Sequence, residues 1–131
     1  MKDIMRIKCL LSEDNETLLN QQIKKEAHSS AIYLAMASWC NQNGFDYSAD
    51  YFFKQSEEER MHQLKLFKYV LDMGGRAVSP DVNNIKQDYT TLREVFEDAL
   101  EAEIGITQSF IFILTATAAG GTGHIIFGCV G

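Results

Sequence analysis

Three stretches of this sequence repeat apolar or small residues at three- and four-residue spacing, and each stripe is interrupted by a glutamate. The spacing is that of one helix face turned toward a core. The first stripe is Leu19, Ile23, Glu26, Ser30, Tyr33, Ala37 and Cys40. The second is Phe52, Ser56, Glu59, His62, Leu66, Tyr69 and Met73. The third is Leu92, Phe96, Ala99, Glu103, Ile106 and Phe110. A buried carboxylate without a partner costs several kcal/mol or takes up a proton. Three of them converging in one core repel unless a cation sits among them. The pattern thus restricts both the fold, an all-α bundle, and what its centre can hold.

Helix signals set the boundaries. The first helix is expected from about Ser12 to Asn43, with Ser12 as cap, Glu13, Asp14 and Glu16 at the positive end of the dipole, and Asn43-Gly44 as the stop. The second is expected from about Tyr47 to Met73, ending at Gly74-Gly75. So short a connection makes these two antiparallel neighbours. The third opens on Thr91-Leu92-Arg93-Glu94, a capping box. Between the last two, Gly75 to Thr90 lacks periodicity and contains Pro80, the only proline. A helix of about 27 residues is roughly 40 Å long, and about 16 extended residues reach roughly 50 Å. The segment can therefore travel the length of the second helix and start the third parallel to it.

Composition narrows the function. The chain has 131 residues, room for one domain, and its 12 Lys and Arg against 18 Asp and Glu give a net charge of −6. That balance speaks against nucleic acid, whose phosphates need a basic face. Cys9, Cys40 and Cys129 are widely spaced and odd in number, which fits reduced thiols in a cytoplasmic protein rather than a disulfide or zinc framework. Residues 1–8 show no signal-peptide pattern. From Ile104 onward there is no Lys, Arg, Asp or Glu. The apolar run Ile111 to Ala119, broken by Gly120-Gly121-Thr122-Gly123, is too short to span a bilayer. A division into a helical domain, 1–110, and an atypical tail, 111–131, is expected.

The chemistry centres on Glu59-Arg60-Met61-His62. Glu and His three apart share a helix face, and their oxygen and nitrogen donors suit iron, zinc or manganese. Alone the pair is a weak signal; with Glu26 and Glu103 on facing stripes it makes most of a carboxylate-bridged dimetal site. Tyr33, two turns after Glu26, is placed to hydrogen-bond a ligand, or simply to pack. Glu58 flanks the site, while His28 and His124 have no spaced partners. Trp39, Phe45, Phe52, Phe53, Phe67 and Phe96 read as packing, and no phosphate-binding glycine loop is present.

These residues resemble a known family. Leu19-Asn20-Gln21-Gln22-Ile23 through Glu26-Ala27-His28-Ser29-Ser30, with Tyr33 and Ala37-Ser38-Trp39-Cys40, resembles the first helix of bacterial non-haem ferritins. Ser56 to His62 resembles their second helix, and Leu92 to Phe96 with Glu103 to Ser109 resembles their third. The resemblance runs from about Leu18 to Phe110. It implies a ferritin-like bundle that oxidises Fe(II) to Fe(III) with O2 or peroxide at a ferroxidase centre of two irons per subunit. It further implies that ferric mineral is stored in a homo-oligomeric cage of twenty-four subunits.

Residue by residue, Glu26, Glu59 and His62 match ligands of the first iron, Glu59 the bridging carboxylate, and Glu103 a ligand of the second. Tyr33 matches the tyrosine beside the centre, and Glu58 a carboxylate of an accessory position. Haem-binding bacterioferritins carry Met after the bridging Glu; Arg60 stands there instead, so no haem is expected. The family continues into a fourth helix that this sequence does not show, which suggests a truncated or frame-shifted reading. Exposed apolar surface would then favour poor solubility or self-association, and the second iron would lack ligands. Two competing expectations follow: a divalent-metal-binding module without turnover, and a helical interaction protein without metal.

Overall fold

The computed structural model describes residues 9–120. The start at residues 1–8, the glycine break from Gly121, His124 and Cys129 lie outside the described residues. Among the described residues there are three helices: α1 (Glu13–Gln42, 30 residues), α2 (Asp46–Asp72, 27 residues) and α3 (Leu92–Gly120, 29 residues). The fold is all-helical, as the three stripes require. Among the described residues no helix is long and apolar enough to cross a membrane.

Local chemistry starts and stops the helices. The Ser12 hydroxyl accepts from the Asn15 amide at 3.1 Å, and Glu13, Asp14 and Glu16 occupy the first turn of α1. Gly44 (φ 80°) and Gly74 (φ 81°) then turn the chain through left-handed backbone that a side chain would strain. At the start of α3 the Glu94 amide donates to the Thr91 hydroxyl, while the Glu94 carboxylate reaches one residue beyond the usual box, to the Thr90 amide at 2.8 Å. Lys86 and then the Thr90 contacts hold the Glu94 carboxyl down at about 2.

Helices α1 and α2 run antiparallel, as the tight turn demands. Their closest approach is made by small residues: the Ser30 hydroxyl donates to the Ser56 carbonyl at 2.9 Å, and the Ser56 hydroxyl to the Ser30 carbonyl at 2.8 Å. Helix α3 packs on α1, again antiparallel, so it lies parallel to α2. The crossover passes along the outer side of α1. Asn20 pins its start, donating to the Arg76 carbonyl and accepting from the Val78 amide, both at 2.9 Å. Tyr89 ends it against Trp39, 6.0 Å between ring centroids. Lys86 holds the end of the crossover to α3 through Glu94 and Asp98.

The core forms two apolar clusters. One gathers Tyr33, Met36, Ala37, Cys40, Ala49, Phe52, Val95 and Ala99 around Tyr89. The other gathers Leu11, Leu19, Ile23, Leu66, Val70 and Ile113. All of the α1 stripe is buried except Ser30, which is half-buried. Helix α3 differs from its expected phase. Val95 is fully buried, whereas Phe96 is 42% exposed and lies over the edge of Phe52, 5.1 Å between centroids. Because α3 packs on α1, its inward arc is turned by about half a residue from the stripe, and Ala99 and Ile106 stay buried as expected. It also continues through residue 110 to Gly120, and Ile113 joins the second cluster.

Candidate metal centre

Between the two apolar clusters lies a polar layer. Helix α1 contributes Gln22 and Glu26, and helix α2 contributes Glu59 and His62. Glu26 is 0% and Glu59 4% exposed, while His62 is half-buried. The i, i+3 spacing puts Glu59 and His62 on the face of α2 that meets α1. One ligand atom from each of Glu26, Glu59 and His62 lies within 4.8 Å of the others.

The three groups face one another without bonding. His62 Nδ1 is 3.8 Å from Glu26 Oε2 and 3.7 Å from Glu59 Oε2, beyond hydrogen-bond length. Glu26 Oε2, Glu59 Oε2 and His62 Nδ1 are all buried and have no hydrogen-bond partner among the described residues. Ligand atoms about 2.1 Å from a shared ion stand about 3.0 Å apart at octahedral and about 3.4 Å at tetrahedral angles. The observed His62 gaps exceed the tetrahedral spacing by about 0.3–0.4 Å and the octahedral one by about 0.7–0.8 Å, which rotamer adjustments can close. The donor set of two carboxylate oxygens and one imidazole nitrogen fits a first-row divalent ion.

Electrostatics record the same strain. Burial first, and then the Glu26 carboxylate, push Glu59 up to about 7 against the opposing pull of His62. The Glu26 and Glu59 carboxylates draw His62 up to about 10. Both values lie above the ordinary 4.5 and 6.5, so the folded chain holds more protons than the unfolded one across that range. The sign follows: this contribution is fully present below the unfolded pKa of each group and is lost as pH rises through its folded value. The metal-free chain is therefore expected to lose stability between about pH 4.5 and 10. Urea melts in chelator at pH 5, 7 and 9 should show a midpoint that falls with pH.

The other expected residues distribute as follows. Tyr33 is buried, and its hydroxyl donates to Glu103 Oε1, which brings Glu103 of α3 to the edge of the layer. Burial and the Glu103 carboxylate raise the Tyr33 pKa, so it stays a neutral donor. Glu103 is not part of the three-residue group. Glu58 is exposed, about 100° around α2 from Glu59. Sequence reasoning missed Gln22, whose amide donates to Glu26 Oε1 at 3.1 Å. Its position one turn before Glu26 was the available signal.

Comparison with known proteins bears on the family and the fold. The Ferritin-like domain family matches residues 16–119. A bacterial non-heme ferritin of Staphylococcus epidermidis is 32% identical over 101 residues, covering 77% of this chain and 61% of that protein. A probable bacterial non-heme ferritin-like protein of Haemophilus influenzae is 39% identical over 99 residues, covering 76% and 60%. The solved Chlorobium tepidum ferritin superposes with a TM-score of 0.83 at 29% identity, covering 88% of this chain and 73% of its own. The chain spans about three fifths of the length of the curated relatives it matches. With 104 matched residues laid on three helices and a buried Glu-Glu-His group at their centre, the chain belongs to the ferritin family.

Proposed function

We propose that this chain takes Fe(II) as substrate at Glu26, Glu59 and His62 and promotes its oxidation to Fe(III) for storage. The observation that carries the reading is the buried triad whose three facing ligand atoms have no hydrogen-bond partner among the described residues. The pairs lie within ion-pair reach yet leave room for an ion among the three atoms. Carboxylates favour Fe(III) over Fe(II), which helps drive the oxidation. Glu59 bridges toward a second position flanked by Glu103, and Tyr33 fixes the Glu103 carboxylate by its hydrogen bond. Two Fe(II) ions give up one electron each, and O2 takes both with two protons to become hydrogen peroxide. Glu58, exposed on α2, would attend an accessory ion. Storage would take place inside a homo-oligomeric cage of twenty-four copies in the cytoplasm, without haem.

The test is oxygen uptake after Fe(II) is added to the full chain under limiting O2. Uptake well above the protein-free rate, about one O2 per two Fe(II), is the expected result. Glu59→Ala should return it to the protein-free rate. An unchanged rate in the variant would overturn the proposal. One observation favours a second reading, binding of a single ion without turnover: Glu103 stands outside the triad. That reading expects Fe(II) binding lost in Glu59→Ala but no uptake above background in either protein.

A further inference from the structure

We infer that Gln22 is a positioning residue of the metal centre, pinning one oxygen of Glu26 so that only the other is offered to the ion. The inference rests on the reading of the triad as a metal site. Gln22 precedes Glu26 by one turn of α1 and is 1% exposed. Its Nε2 donates to Glu26 Oε1 at 3.1 Å, while Glu26 Oε2 faces His62 Nδ1 at 3.8 Å. The amide must present its nitrogen to the carboxylate, because its oxygen would set two acceptors against each other.

The other end of the side chain shows that packing is not its purpose. Gln22 Oε1 is buried and has no hydrogen-bond partner among the described residues. Leu19 and Ile23, beside it on α1, are both fully buried in apolar surroundings. An aliphatic side chain there would spare the unmet carbonyl but take from buried Glu26 Oε1 its donor. The unmet carbonyl is tolerated because the amide nitrogen holds Glu26. Held by one oxygen, Glu26 is kept from swinging away or offering both oxygens to one ion, so the triad meets the ion with a fixed monodentate geometry.

Cobalt(II) is the probe, since its visible absorption reports coordination number and geometry. The full chain is titrated with Co(II) as wild type, Gln22→Met and Glu59→Ala. Methionine keeps the length of the side chain and removes the donor. Gln22→Met is expected to bind Co(II) about 10- to 100-fold more weakly, with a changed absorption band, and to melt without metal within a few degrees of the wild-type temperature, because Glu26 Oε1 loses its donor while the unmet Gln22 carbonyl is removed. Weakened binding with an unchanged band would mean general loosening of the core and would overturn the positioning role, as would wild-type affinity. Gln22→Asn keeps the amide but falls short of Glu26. It should show the same loss, and it decides the matter if Gln22→Met does not fold. A wild-type Co(II) band that survives Glu59→Ala would instead overturn the site itself, and the role of Gln22 with it.

Discussion

Saturating Zn(II) is expected to raise the melting temperature of this chain by about 10 °C, and Glu26→Gln is expected to abolish the rise. A ligand that binds only the folded state at about 100 times its dissociation constant adds about 2.7 kcal/mol. For a domain of this size each kcal/mol moves the midpoint by about 3–5 °C. Zn(II) serves as the probe because it has no redox chemistry and accepts the same oxygen and nitrogen donors. Glu26→Gln keeps the shape and removes the anionic oxygen that faces His62 and Glu59.

The metal-free behaviour of that variant separates a site from a structural bridge. Removing one partner of a buried structural pair costs about 3–5 kcal/mol. Here His62 stands 3.8 and 3.7 Å from the Glu26 and Glu59 carboxylates, within ion-pair reach but too far for a hydrogen bond, so less is lost than from a closed pair. Two buried carboxylates in mutual repulsion are a burden that the metal-free fold carries. Relief of that repulsion and loss of the attraction to His62 oppose each other, so Glu26→Gln is expected to melt without metal within a few degrees of the wild-type temperature. A drop of more than about 10 °C, matching the loss of a structural pair, would sink the metal reading.

How much of this was legible in the sequence depends on what each residue contributes to a pattern. The α1 stripe was readable because every member repeats at helical spacing and a charge in such a row stands out; Glu26 and Glu59 are both buried where the pattern put them. The phase of α3 was less readable. Val95 and Phe96 are adjacent and both apolar, and only the packing of α3 on α1 decides that Val95 goes inward. The continuation of α3 to Gly120 had no signal, because loss of charge after Ile104 removes the polar face without placing a stop. The roles of Gln22, signalled only by its place one turn before Glu26, and of Asn20 were hard to read for another reason. Uncharged amides are ordinary on a helix surface, and their roles arise from partners 4 and 56 to 58 positions away. The length of the crossover was legible from arithmetic on extended chain; its attachment to α1 was not.

Phe52→Ala is expected to destabilise the chain by about 3–5 kcal/mol, enough to unfold much of it at 37 °C if total stability lies near the low end of the usual 5–15 kcal/mol. Phe52 is fully buried and stacks on Tyr33 at 6.0 Å with an interplanar angle of 15°. It also meets Tyr51 edge-on at 5.1 Å and Phe96 at 5.1 Å. The control is Tyr47→Ala, at a ring 94% exposed, which should change stability by less than about 0.5 kcal/mol. Urea melts of both variants check the contrast. In Phe52→Ala the damage should extend to chemistry. On the proposed two-ion reading, Tyr33 freed from its stacking partner no longer holds the Glu103 carboxylate in place, so any folded fraction should bind one ion normally and lose the other. A Phe52→Leu variant, which keeps most of the volume, should retain the fold while weakening that second binding event. Equal loss of both ions would show instead that Glu103 and the triad respond as one unit.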